Sequence, residues 1–103
     1  MPKPTKAQAW LRAKVMEKYH ACCAGCGWVL DLEYDHVHPT HAGGPDTTDN
    51  MQILCHACNN AKNGSLGLTA MAPRTPDPIV LQAAEIIRQQ RLAFKLHIEN
   101  AKK

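Results

Sequence analysis

Two Cys-x-x-Cys pairs constrain this chain more than any other feature: Cys23-Ala-Gly-Cys26 and Cys55-His-Ala-Cys58. The chain has 103 residues, enough for one small domain. A core of that size is only marginally stabilising, and domains this small often add a disulfide or a metal. Aromatic residues make up 5% of the sequence, so a structural metal fits. Five cysteines cannot all pair within one chain. The start, Met1-Pro-Lys-Pro-Thr-Lys, lacks the apolar stretch of a signal peptide. No apolar run is long enough to span a bilayer. The expectation is a cytoplasmic protein with no membrane contact and reduced thiols, a setting in which paired Cys-x-x-Cys motifs bind metal more often than they form disulfides.

Thiolates are soft ligands, and four in a tetrahedron suit Zn²⁺. Cys23, Cys26, Cys55 and Cys58 are the expected structural zinc ligands. Cys22 is the spare, because pairing it with Cys26 would need a three-residue gap. The stretch between the pairs is longer than in a simple zinc ribbon. It holds Asp35, His36 and Asn50, with Asn59 just beyond it. Zinc would therefore clamp both ends of a segment rich in chemically capable side chains.

Local signals place these residues on elements. Thr5-Lys-Ala-Gln8 fits a capping box ahead of a helix over 6–19, with Ala7, Leu11, Val15 and Tyr19 as its buried stripe. Trp28, Leu30, Leu32 and Tyr34 alternate with Val29, Asp31, Glu33 and Asp35, a strand pattern ending at Asp35-His36. Residues 39–49 form a loop, with Gly43-Gly44 serving its backbone. Met51 to Leu54 is a second strand, and a short helix opens near His56, runs through Lys62 and ends at Asn63-Gly64. Residues 65–76 are irregular. Asp77-Pro78 reads as N-cap and first residue of a last helix over 77–100. Its stripe is Val80, Ala83, Ala84, Ile87, Phe94 and Ile98, with Arg88, Arg91 and Lys95 on another face.

Asp, His and Asn are the residue types that phosphodiester hydrolysis requires. A histidine titrating near neutral pH can deprotonate water. A hard divalent ion on oxygen ligands can neutralise the phosphoryl group and stabilise the leaving oxygen. Neighbours in an extended chain point to opposite faces, so Asp35 could bind metal while His36 faces the water.

Asp35-His36-Val-His-Pro39, Gly43-Gly44, Asn50-Met-Gln-Ile-Leu-Cys55, Cys58-Asn59 and Lys62 together resemble the HNH endonuclease family in its four-cysteine form. The resemblance covers residues 20–64. Its spacings, fourteen residues from His36 to Asn50 and nine from Asn50 to Asn59, are similar to those of HNH modules in RNA-guided effectors. It implies an α+β chain of a single domain: a ββα-metal (His-Me finger) fold with a four-cysteine zinc site, flanked by N- and C-terminal helices. It also implies roles. Asp35 and Asn59 would bind a catalytic Mg²⁺ or Mn²⁺, His36 would be the general base, and Asn50 would hold the loop and orient the His36 ring through a backbone contact. Many relatives have a further ligand one helical turn later. Asn63 stands there in this sequence, as a weak ligand or with water in its place.

Five of the twelve Lys and Arg residues fall within the first eighteen positions, and the net charge is +3. That balance is compatible with DNA as a partner. Lys14, Lys18 and Lys62 are candidate DNA contacts, and His38 and His41 flank the loop. The expected activity is DNA hydrolysis to 5′-phosphate and 3′-hydroxyl ends. Two other readings stay open. One is a catalytically silent, zinc-stabilised DNA-binding module. The other is a subunit active only inside a larger phage DNA-processing or packaging complex, with the last helix as its docking surface. One active site cuts one strand, so double-strand cleavage would need a homodimer or two encounters.

Overall fold

Thr5 caps the first helix from both directions. Its hydroxyl accepts from the Gln8 N–H at 3.1 Å, and the Gln8 side chain accepts from the Thr5 N–H at 2.9 Å. Together they satisfy donors that a helix start leaves open. The computed structural model describes residues 3–62 and 70–102 of the chain. In order, they form α1 (Lys6–Lys18), β1 (Leu32–His36), β2 (Met51–Cys55), α2 (His56–Lys62) and α3 (Pro78–Ala101). Two 3₁₀ turns, Thr40–Ala42 and Thr48–Asn50, shape the loop between the strands. The result is the α+β arrangement of a ββα-metal fold: a two-stranded sheet, a short helix after it, and flanking helices.

β1 and β2 pair antiparallel, with Leu32 opposite Cys55, Tyr34 opposite Ile53, Asp35 opposite Gln52 and His36 opposite Met51. Side chains alternate between the two sheet faces. Leu32, Tyr34, His36, Met51 and Ile53 therefore share one face, and Glu33, Asp35, Gln52 and Leu54 the other. α1 covers the first, where the Arg12 guanidinium lies 5.4 Å from the Tyr34 ring centre. α2 covers the second. All five residues of β2 are buried, whereas all five of β1 are half-buried. The core gathers Val15, Tyr19, Met51, Ile53 and Leu54.

The first strand starts later than the alternation from Trp28 suggests. Residues 28–31 are not strand. The Trp28 carbonyl accepts from the Cys23 N–H at 2.7 Å, closing the cysteine turn, and Asp31 sits at φ 55, which breaks an extended run. Val29 and Leu30 instead join Cys22 and Ala84 in a second cluster that seats α3. The stripe of α1 is buried only in its second half. Val15 and Tyr19 are inside, Leu11 is half-buried and Ala7 is exposed.

The Asp77 carboxylate accepts from the Ile79 N–H at 2.8 Å and starts α3, with Pro78 in its first turn. Ala84 is buried, Val80 and Ile87 are half-buried, and Arg91 forms a bidentate pair with Asp31 at 3.0 and 3.1 Å. Beyond Arg91 the helix stands free of the body, with Phe94 66% exposed. Among the described residues no helix is long and apolar enough to cross a membrane.

Ile53 is fully buried on the covered strand, so truncating it removes contacts on every side. Ile53→Ala should lower unfolding free energy by about 3 kcal/mol, read from urea denaturation of the metal-loaded protein.

Candidate metal centre and active site

The four sulfurs of Cys23, Cys26, Cys55 and Cys58 lie within 4.8 Å of one another. Cys26 Sγ and Cys55 Sγ are 3.6 Å apart. A Zn–S length of about 2.3 Å places tetrahedral sulfurs about 3.8 Å apart, so the cluster has the dimensions of a Zn²⁺ site. Each pair forms a turn whose N–H groups point at sulfur. Gly25 and Cys26 donate to Cys23 Sγ at 3.3 and 3.4 Å, and Cys58 donates to Cys55 Sγ at 3.5 Å. Burial pushes the Cys23 thiol up, but the backbone groups of Cys55, Cys26 and Gly25 together with the Cys58 side chain more than offset this and draw it down to about 6. Burial and the neighbouring sulfurs push Cys58 up instead. Four sulfurs this close share negative charge only with a cation among them. Cys22 stays outside the cluster as a buried thiol. Burial raises its pKa, and its Sγ donates to the carbonyls of Arg74 at 3.1 Å and Tyr19 at 3.4 Å.

The Asp35-His36 pair closes β1. A cleft of about 220 Å³ at the strand's end is lined by Asp35, His36, Pro39, Thr40, His41 and Lys62. A larger cavity of about 920 Å³ lies between the cysteine turn and residues 72–80. That cavity also has a histidine and an acid in its wall, His20 and Asp77, but Asp77 is engaged in capping α3, and the Asp35-His36 pair of the sequence motif lies at the smaller cleft.

The Asp35 carboxylate accepts from Lys62 Nζ at 2.6 Å and from Gln52 Nε2 at 2.9 Å. Asp35 and Lys62 are only 13% and 12% exposed, so this is a largely shielded ion pair. Lys62 also donates to the His36 carbonyl at 2.9 Å. Gln52 is 3% exposed and satisfied at both ends, its Oε1 accepting from the Met71 N–H at 2.9 Å. An oxygen site already holding an ammonium has the charge and donor type for a hard divalent ion.

The His36 ring turns to the α1 side of the sheet, where Nε2 meets Asp46 Oδ1 at 2.6 Å. Asn50 closes the neck of the loop. Its Oδ1 accepts from the His38 N–H at 2.9 Å, and its Nδ2 donates to the carbonyls of His38 at 3.1 Å and Pro45 at 2.8 Å. Asn50 therefore holds the loop that carries Asp46, and the contact to the ring comes from that carboxylate rather than from a backbone group. Gly44 is required here because a Cβ would run into the His38 carbonyl.

Asn59 lies one turn before Lys62 on α2. Its Nδ2 donates to Glu33 Oε1 at 2.7 Å, and Glu33 Oε2 meets His56 Nδ1 at 2.7 Å. The hydrogen bonds from Asn59 and His56 hold the Glu33 carboxyl below the usual range. The structure thus brings Asp35, His36 and Lys62 to one cleft, sets Asn59 beside it against Glu33, and uses Asn50 as a loop clamp. Asn63 lies outside the described residues. Lys14 and Lys18 sit on α1, near Glu17 and over the Tyr19 ring respectively. Glu33, Asp46 and Gln52 are partners that the sequence reading did not single out. Only the strand period, which puts Glu33 on the face of Asp35, hints at the first.

Residues 23–65 match the HNH endonuclease family. The CRISPR-associated endonuclease Cas9 of Corynebacterium diphtheriae is 31% identical over 67 residues, covering 61% of this chain and 6% of that protein. Residues 23–65 are an HNH endonuclease domain. The HNH domain carries the four-cysteine cluster, and the chain spans only a small part of the relative it matches.

Metal analysis of the purified protein should give one zinc per chain. Cys55→Ser should lose it and melt at a lower temperature, while Cys22→Ser should keep it. Zinc content by plasma mass spectrometry, with a melting curve before and after chelator, checks both expectations.

Proposed function

We propose that this chain is a metal-dependent endonuclease that hydrolyses DNA phosphodiester bonds, with His36 as general base and Asp35 and Asn59 as ligands of one Mg²⁺ or Mn²⁺. The observation that carries this reading is the meeting of Asp35, His36 and Lys62 in one cleft at the end of β1. A divalent ion bound there supplies charge neutralisation at the phosphoryl group and at the leaving oxygen.

The chain's own residues do the rest. Asp46 as a carboxylate only accepts hydrogen bonds, so its contact with Nε2 keeps the ring proton on that nitrogen. Nδ1 is then the nitrogen with a lone pair, and it takes the proton from the attacking water. Asn50 fixes the loop through three bonds and so keeps Asp46 in place. Before an ion binds, Lys62 anchors the Asp35 carboxylate and the His36 carbonyl together. Lys14 and Lys18, four apart on α1, face the same way and would meet phosphates of the duplex.

The free end of α3 favours a second reading. Leu92, Phe94 and Leu96 are at least half exposed, which suits a subunit that works within a larger phage DNA-processing or packaging complex. Isolated protein would then nick slowly.

Zinc-loaded protein should nick supercoiled plasmid with added Mg²⁺ or Mn²⁺ and not without. His36→Ala at equal zinc content should lose about 10²–10⁴-fold in rate. Equal nicking by both proteins would remove His36 as the base. An inert wild type would leave a silent DNA-binding module or the complex-bound reading. Lys14→Gln with Lys18→Gln should weaken DNA binding and flatten the slope of log affinity against log salt by about 2, measured by fluorescence anisotropy. An unchanged slope would place phosphate contact elsewhere.

A further inference from the structure

Four residues of the HNH domain form a ladder between β1 and α2 that runs from the cleft to the ground beside it. Glu33 and Asp35 stand two apart on β1 and face α2. Asn59 and Lys62 stand three apart on α2 and face β1. Each acid meets one of them, Glu33 with Asn59 at 2.7 Å and Asp35 with Lys62 at 2.6 Å. The two contacts are neighbouring rungs between strand and helix. The second rung belongs to the site already described, whereas the first has no assigned role.

A carboxamide has two unlike ends. Its oxygen can ligate a hard cation, and its NH₂ group cannot. An asparagine proposed as a metal ligand is useful only if held the right way round. From Asn59 itself nothing decides this, because the two ends have nearly the same shape. The decision has to come from a neighbour that accepts but does not donate. Glu33 is such a neighbour. Its Oε1 takes the Asn59 Nδ2, which leaves Oδ1 without a hydrogen bond among the described residues.

Glu33 is itself braced. Its Oε2 accepts from His56 Nδ1 at 2.7 Å, and His56 Nε2 accepts from Asn60 Nδ2 at 3.2 Å. His56 begins α2, and its own N–H donates to the Asp31 carbonyl at 2.9 Å. Both Glu33 oxygens are therefore committed to α2, so this carboxylate is placed to orient a ligand rather than to be one. We infer that Glu33 is a positioning residue that fixes the Asn59 carboxamide with its oxygen free for the divalent ion. This role of Glu33 rests on the proposed part of Asn59 in metal binding. Partners that orient a ligand commonly contribute about ten- to a hundredfold to metal affinity.

The test uses the zinc-loaded full chain and Mn²⁺ as the probe, with binding read from the EPR signal of free Mn²⁺ in the absence of DNA. Nicking at varied Mn²⁺ gives a second readout. Glu33→Gln replaces a group that only accepts with one that also donates, so Asn59 can turn either way. About tenfold weaker Mn²⁺ binding is expected, and the half-saturating Mn²⁺ for nicking should rise alongside it. Melting temperature and zinc content should stay unchanged. Asn59→Asp supplies the decisive background, because both ends of an aspartate are oxygen and nothing needs orienting. In that background Glu33→Gln should leave Mn²⁺ affinity undiminished. The same loss in both backgrounds would overturn the inference and assign Glu33 a role through its charge or as a ligand. Wild-type affinity in the Glu33→Gln single variant would overturn it as well. Asn59→Ala separates the two levels. If it binds Mn²⁺ weakly while Glu33→Gln binds normally, the inference alone fails. If Asn59→Ala binds and nicks like wild type, the role of Asn59 in metal binding fails, and the inference fails with it.

Discussion

The four-cysteine cluster is the constraint on which the rest of this structure depends. It joins the turn after α1 to the junction where β2 becomes α2, because Cys55 is the last residue of the strand and Cys58 lies in the helix. α2 has seven residues, far too few to be helical alone in water. Its position comes from the sulfurs at its start and from the His56 N–H on the Asp31 carbonyl. Asn59 and Lys62 inherit that position. A metal holding the cysteines would therefore act on the cleft without touching it, by fixing the helix that carries Lys62 into it and Asn59 beside it.

The two strands divide the work. β2 is buried along its whole length and supplies Ile53 and Leu54 to the core. β1 is half-buried throughout and supplies Glu33, Asp35 and His36. The single polar side chain of β2, Gln52, is buried and satisfied at both ends, and one end reaches the Asp35 opposite it. The core thus draws on one strand and the polar groups at the cleft on the other, with cross-strand pairing transmitting order from the first to the second.

Much of this was legible in the sequence. The cysteine spacing points to one shared site, and the sulfurs do converge. Thr5 with Gln8, and Asp77 with Pro78, mark helix starts because capping depends on residues within one turn. The strand boundary was not legible. The alternation from Trp28 continues through residues whose backbone is diverted by the cysteine turn and by the left-handed Asp31, and a period carries no trace of that. The contacts of Glu33, Asp46 and Lys62 were hidden for a related reason. They join positions 26, 10 and 27 residues apart, and long-range pairs leave no mark on local pattern. The motif points to Asp35, His36, Asn50 and Asn59, while the groups that contact them appear only in three dimensions.

Charge sets a condition on how the proposed cleft would work. Glu33 and Asp35 face α2 with Lys62 as the cation on Asp35. Removing that ammonium alone would leave a shielded carboxylate with only Gln52 as donor, the costly half of a broken ion pair. A divalent ion on Asp35 supplies the missing charge and more. At about 4 Å and an effective dielectric near 20, two unit like charges already repel by about 4 kcal/mol. A doubly charged ion and the Lys62 ammonium would therefore compete for that carboxylate. On the proposed reading, metal binding would weaken the hold of Asp35 on Lys62 and leave its charge available to a substrate phosphate. Lysine suits this position better than arginine, because a single compact charge can leave one oxygen for another without surrendering a fixed two-pronged contact.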